Sequence, residues 1–465
     1  MITGKTTPAG SDPYVPKNGN AGLTVERYEL ELDYRLATNR LSGIARLDVL
    51  ATSDLARFTL DLSRLSASAV RIDGARAANH SQSAHKLTVT PQRLIEAGTR
   101  FRVTIEYAGA PRPRSSTWGP VGWEELADGV IVASQPSGAS TWFPCNDVPS
   151  DKATYSIQLT TEAPYTVVCN GRLVSRTVRS GRATWLFEQD EPTATYLATV
   201  QIGRYSVVEA DWDGVPGRIV FPASIRRSVL ADLVDVPRMM AVFQRAFGPY
   251  PFTGYAVVVT EDVLEIPLEA QSLAIFGSNH LTGTGEWERL VAHELAHQWF
   301  GNAVGVAEWR HIWLNEGFAC YAEWVWSEAS GGASADVLAR EHYARLAGSA
   351  SDIVLSDPGA RDMFDDRVYK RGALTLHALR LAVGDELFFD IVRRWVGEHR
   401  HDVVTTADFR DLVSRACSAV PGVAVVALDR LLDAWLDATA LPPYPTASPS
   451  ASVTTHPSTT AEDTA

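Results

Sequence analysis

Two histidines, His293 and His297, stand four residues apart with Glu294 beside the first, in the run Val291-Ala292-His293-Glu294-Leu295-Ala296-His297-Gln298-Trp299-Phe300-Gly301-Asn302. On a helix that spacing projects both imidazoles from one face. Nitrogens so placed can grip one Zn2+, and the intervening glutamate lies where it can take a proton from metal-activated water. A catalytic zinc needs a third protein ligand. Glu316, in Trp313-Leu314-Asn315-Glu316-Gly317-Phe318-Ala319, supplies it after a gap long enough for a turn and a second helix packed on the first. Reading the pair instead as incidental histidines on a solvated helix face leaves the well-spaced acid and the dense Trp, Phe and Asn flanks unexplained. One Zn2+ per chain is therefore expected.

The elements that must position these residues follow from the rest of the chain. Its 465 residues suggest roughly two to four domains, with 45% hydrophobic and 21% charged residues, as in ordinary globular proteins. The formal net charge of −13 argues against a nucleic-acid partner and reads first as a solvated acidic surface. Met1 to Asn20 is polar and lacks the apolar stretch of a signal peptide, and no apolar run is long enough to span a bilayer. Cys145, Cys169, Cys320 and Cys417 form no Cys-x-x-Cys pair. Reduced thiols, a cytoplasmic location and no membrane partner are the expectation. The oligomeric state is left open, with a monomer compatible.

From Leu23 to about Arg204 the chain alternates apolar and polar residues in short segments, such as Tyr28–Leu32, Ala45–Val49, Arg102–Tyr107 and Tyr155–Leu159. Asn39-Arg40 separates the first two. This predicts an all-β domain. The pattern changes near 205–215. Ser228 to Phe247 has helical periodicity divided at Pro237, and Tyr255 to Thr260 reads as a strand. The metal-binding helix is predicted from about Gly285–Trp287 to Gly301–Asn302, with Gly301 as its C-cap. Helices are expected through Leu374–His399, Thr406–Ala416 and Leu428–Leu436, the middle one capped by Thr405 and Asp408. The resulting division is a flexible N-terminus over 1–21, a β domain over 22–210, a catalytic domain over 211–441 and a disordered Pro/Ser/Thr-rich tail over 442–465. Glu323 lies two turns beyond Glu316 on the same helix face. It is a candidate acceptor for the second ring nitrogen of a ligand histidine, with a surface ion pair as the alternative.

Together the two metal-binding segments resemble the M1 family of zinc aminopeptidases, the gluzincins. That family has His-Glu-x-x-His, eighteen residues, then Glu; here positions 298 to 315 fill the gap. Its members often continue with Gln-Trp-Phe-Gly-Asn and carry the third ligand in Trp-Leu-Asn-Glu-Gly, both present in this chain. The resemblance implies an N-terminal all-β saddle or sandwich followed by a thermolysin-like, mainly α-helical catalytic domain with a small sheet. It covers about residues 22–440 and does not extend to the large helical domain of longer members. A more open cleft and weaker product specificity are expected from that.

The family also carries residues that make its cleavage terminal. Ser134-Gln135-Pro136-Ser137-Gly138 and Trp142-Phe143-Pro144-Cys145-Asn146-Asp147 are similar to its Gln-containing strand end and its Phe-Pro-Cys-x-Asp run. The resemblance makes Gln135 a substrate contact, while Ser137 stands where the family has Glu or Gln. Glu265-Ile266-Pro267-Leu268-Glu269-Ala270 aligns with Gly-x-Met-Glu-Asn. Glu269 falls on the glutamate that pairs with the substrate ammonium. Pro267 and Leu268 fall on the same cleft-lining strand, with Ile266 replacing the Gly. Arg367-Val368-Tyr369-Lys370-Arg371-Gly372 resembles Tyr-Glu-Lys-Gly, which makes Tyr369 the donor to the oxyanion. His311 stands where many members have Asp, and by itself reads as a structural or surface residue. The implied function is removal of one N-terminal residue from peptides with a free amine, with Glu294 as general base. The alternatives are a zinc endopeptidase, an epoxide hydrolase on the same scaffold, and an inactive peptide-binding module.

Overall fold

The computed structural model describes residues 12–421 and 424–445. In the strand Leu23–Arg35, Leu23 and Val25 face inward, then a bulge between Val25 and Arg27 re-phases the alternation so that Tyr28, Leu30, Leu32 and Tyr34 do. This strand lies in the middle of an eight-stranded sheet. Its order in space is Arg172–Arg179, Arg182–Ala194, Lys152–Glu162, Leu23–Arg35, Arg40–Ala51, Arg100–Gly109, Ser66–Ile72 and Ala75–Arg76. Leu23–Arg35 and Lys152–Glu162 pair in parallel, with Leu30 opposite Ile157. The turn expected at Asn39 is there, with φ 44.

A five-stranded sheet (Thr166–Cys169, Val200–Gly203, Gly129–Ala133, Gly119–Leu126, Arg114–Ser116) shares one core with the first. Leu30, Leu47, Val103 and Ile157 of one sheet and Trp123, Val130, Val167 and Ile202 of the other are buried together. Two inner faces over a common apolar layer make a β-sandwich. It ends at Arg204. Tyr205–Trp212, expected in the β domain, instead opens the sheet of the catalytic half, because its whole length pairs with Val215–Pro222. That sheet continues through Tyr255–Val259, Leu273–Phe276 and the edge strand Leu268–Ala270.

Pro237 does not break the helix Val236–Phe247 but sits in its first turn, where a missing N–H costs nothing. The short helix Arg226–Asp232 precedes it. The regular metal-binding helix runs only Glu288–Ala296, ending earlier than its periodicity suggested. Beyond it the chain widens, with the amides of Asn302, Ala303 and Val304 donating to the carbonyls of His297, Gln298 and Trp299. Gly301, at φ 108, serves that widened turn rather than the helix cap. The central helix Trp313–Ser330 buries every residue from Trp313 to Trp326, so it is enclosed on all sides. Ala335–Ala347, Asp366–Val383, Asp385–Glu398 and Thr406–Ser418 pack against it, and Val425–Leu436 packs on the second and fourth of these. Thr405 and Asp408 form the expected capping box.

Both ends of the described chain are tied down. Asp12 and Asn18, within the stretch expected to be flexible, are buried, and Asp12 accepts from the Trp309 amide at 2.6 Å. At the other end, Tyr444, expected in the disordered tail, donates to Asp336 at 2.8 Å and packs on Tyr343. Residues 1–11 and 446–465 lie outside the described residues. All four cysteines are free and buried. No helix among the described residues is long and apolar enough to cross a membrane.

Candidate metal centre

His293 and His297 leave the same helix face with their rings 4.7 Å apart. Glu316 comes from the start of the central helix, and its Oε2 lies 3.6 Å from His293 Nε2 and 3.4 Å from His297 Nε2. The three side chains are buried and their ligand atoms lie within 4.8 Å of one another. Both inward atoms are Nε2 because both Nδ1 atoms are engaged elsewhere. His293 Nδ1 lies 2.8 Å from Glu323 Oε1, and His297 Nδ1 lies 3.0 Å from the Phe300 carbonyl. Such partners fix the tautomer that leaves Nε2 free to bind a metal. The donor set fits zinc, since two imidazoles and a carboxylate form the protein side of a catalytic site with an open position.

Glu323 is thus the His293 partner, and it holds Arg289 as well, at 3.4 Å. Burial pushes its carboxyl up, but His293, Lys370 and Arg289 outweigh this and hold it at about 2. Burial likewise works against Glu316, and the two imidazoles overcome it and hold it below the ordinary range. Glu294 behaves oppositely. Burial, only partly offset by the histidines, raises its carboxyl, and its Oε2 is a buried oxygen without a hydrogen-bond partner. An acceptor so placed beside the ligand pair suits a group that takes a proton.

Tyr369 sits in the first turns of the helix Asp366–Val383, its ring stacked on His293 at 6.2 Å and 17°. Burial and the neighbouring Glu316, Glu269 and Glu294 push its phenol well above the ordinary value, so it stays protonated. The Tyr369 helix touches the helix of Glu316 where Gly317 meets Gly372. A Cβ on Gly372 would fall 2.7 Å from Gly317 Cα, so only glycine permits this approach.

Glu269 and Gln135 meet although they come from different domains, with Gln135 Nε2 donating to Glu269 Oε1 at 2.6 Å. Burial raises the Glu269 carboxyl. Leu268 lines the same cavity with Ser134, Gln135 and Tyr196; Pro267 is not part of that lining. Ile266 is 62% exposed. Ser137 is buried, and its carbonyl accepts from Arg114 at 3.3 Å. His311 is structural, receiving the hydroxyl and amide of Thr406 at its Nδ1.

Two residues escaped the sequence reading. Gln298 and Asn302 both donate to the Ala270 carbonyl, at 3.1 and 3.0 Å, and Gln298 Oε1 accepts from the Ser272 amide at 2.8 Å. The end of the metal-binding helix therefore holds the strand bearing Glu269 on its far side. Their presence in the Gln-Trp-Phe-Gly-Asn run was the available signal.

The peptidase family M1 domain model matches residues 232–435, and the peptidase M1 N-terminal domain model matches residues 24–197. The chain belongs to peptidase family M1. Its fold is similar to the crystal structure of an M1 zinc metallopeptidase from Deinococcus radiodurans, at 32% identity and a TM-score of 0.86, covering 95% of this chain and 100% of that one. A Glu-to-Ala mutant of that metallopeptidase bound to a Tyr-Ser-Ala substrate gives the same TM-score of 0.86. Aminopeptidase B of Rattus norvegicus is 26% identical over 383 residues, which is 75% of this chain and 55% of that protein. Aminopeptidase M1-A of Oryza sativa is 27% identical over 305 residues, 60% of this chain and 34% of that protein. Against the rice relative, this M1 chain spans about a third of the length.

Proposed function

We propose that the chain is a zinc aminopeptidase that removes single residues from the free N-terminus of peptides. The observation that carries this reading is the Gln135–Glu269 contact at 2.6 Å. It places an oriented carboxylate on the strand that Gln298 and Asn302 fasten to the metal-binding helix. A substrate ammonium paired with that carboxylate in a poorly solvated cleft gains roughly 1.5–3 kcal/mol. It also fixes the scissile bond one residue from the chain end. That geometry disfavours internal cleavage.

His293, His297 and Glu316 would hold one zinc ion, which when bound supplies Lewis acidity sufficient to bring the pKa of water to ~7. Glu294 takes the proton of the attacking water on its unpartnered Oε2 and delivers it to the leaving amine. Tyr369, kept neutral, donates its hydroxyl proton in a hydrogen bond to the developing oxyanion. Glu323 and the Phe300 carbonyl keep the two histidines in the ligating tautomer. The Tyr-Ser-Ala substrate of the Deinococcus relative supports short peptides as substrates. Four unpaired, buried cysteines support a reducing, cytoplasmic setting.

The test is Glu294→Gln. Turnover is expected to fall at least about 10²-fold while one zinc per chain stays bound. Undiminished activity would remove Glu294 as the base.

A further inference from the structure

The strand Lys152–Glu162 belongs to the β domain, yet its first side chain reaches into the catalytic half. Lys152 Nζ donates to the carbonyl oxygens of Asn302 at 2.9 Å, Ala303 at 3.0 Å and Asp402 at 3.3 Å. Burial pushes the Lys152 amine down to about 7, and in its protonated form three donors meet three backbone acceptors. Among the described residues it forms no ion pair with a carboxylate.

Two of the carbonyls it gathers, those of Asn302 and Ala303, belong to the widened turn that follows the metal-binding helix. In that turn the Asn302 and Ala303 amides bond back to His297 and Gln298, and the Gly301 amide bonds to Val304. The Phe300 carbonyl that holds His297 Nδ1 at 3.0 Å lies in the same turn. The third carbonyl, that of Asp402, also accepts from the Gly305 amide at 3.0 Å. One ammonium thus holds together the β domain, the turn behind His297 and the segment paired beside it. A compact three-donor ammonium suits three converging carbonyls better than a planar guanidinium would.

We propose that Lys152 is a positioning residue for the metal ligand His297. It fastens the β domain to the turn Phe300–Ala303, so that the Phe300 carbonyl keeps the His297 ring in its ligating orientation. Without the ammonium the Asn302 and Ala303 carbonyls lose their common donor, the turn relaxes, and the His297 ring gains freedom to swing off the metal. The inference rests on the zinc reading of His293, His297 and Glu316.

The test is the rate at which zinc-loaded protein releases metal to a chromophoric chelator, well below the unfolding temperature. Lys152→Met is expected to release zinc about 10-fold faster than wild type, with unchanged circular dichroism. Lys152→Gln, which keeps two N–H donors without the charge, is expected to fall between them, and it stands in if the Met variant does not fold. Leu47→Ala, in the β-domain core, controls for stability. It should lower Tm and leave zinc release as in wild type. Release at the wild-type rate from Lys152→Met, or from Lys152→Gln where Met does not fold, overturns the proposal. So does equal acceleration by Leu47→Ala, which would reduce Lys152 to general stability. A wild-type protein that binds no zinc at all sinks the metal reading itself, and with it this inference.

Discussion

Gln135 reaches across the domain junction to place its Nε2 2.6 Å from Glu269 Oε1. The carboxylate proposed to receive the substrate amine is therefore oriented by the β domain. Replacing Gln135 by Ala leaves Glu269 in place but free to turn, so KM for free-amine substrates should rise several-fold with kcat little changed. Glu269→Gln removes the charge and should cost about 10- to 100-fold in kcat/KM. Steady-state kinetics on aminoacyl substrates decides, and an unchanged KM in both variants would separate this pair from amine binding.

Glu323 accepts from His293 at 2.8 Å and is held below the ordinary carboxylate range by its cationic neighbours. Glu323→Ala should weaken zinc binding about 10- to 100-fold, read by competition with a chelator. Affinity equal to wild type would mean that Glu323 serves only the Arg289 ion pair.

The helices carrying Glu316 and Tyr369 meet backbone to backbone at Gly317 and Gly372. Gly372→Ala inserts a methyl 2.7 Å from Gly317 Cα, so the helices must part. A displacement of order 1 Å between Glu316 and Tyr369, in the roles proposed for them, should lower kcat by about 10²-fold, with zinc content retained. Wild-type kcat in a folded variant would show that Tyr369 does not depend on this crossing.

Asp147 gives a pH dependence of stability. Burial first, then the neighbouring Asp61 carboxylate, raises its carboxyl from 3.8 to about 7. The folded state then binds the proton more tightly than the unfolded state. Its stabilising contribution is complete below about pH 4 and is lost as pH rises through 7. Asp147→Asn should gain on wild type by about 2–3 kcal/mol between pH 5 and pH 8 in urea unfolding of the zinc-loaded proteins. A constant difference between the two pH values would contradict this.

Much of the site was legible because its residues obey a local rule. His293 and His297 share a helix face by spacing alone, and Glu323 repeats the face of Glu316 two turns on. The strand alternation of the β domain is equally local. What sequence hid is tertiary. The helix Glu288–Ala296 ends early because Gln298 and Asn302 are drawn to Ala270, a strand their own periodicity cannot see. Tyr205–Trp212 alternates like the strands before it, and only its partner strand assigns it to the catalytic sheet. The helix Ala335–Ala347 was missed because only Ala335 and Ala339 on it are fully buried, which leaves almost no apolar stripe to read. Asp12 looked like terminus until the Trp309 amide it satisfies was in view.

The most direct test of terminal cleavage compares zinc-loaded protein on matched aminoacyl fluorogenic substrates with free and with N-acetylated amines. Glu269, oriented by Gln135, predicts cleavage of the free-amine set and at least about 10-fold lower kcat/KM on the blocked set. Equal cleavage of both sets would contradict an aminopeptidase, and cleavage of neither, with zinc bound, would point to a peptide-binding module.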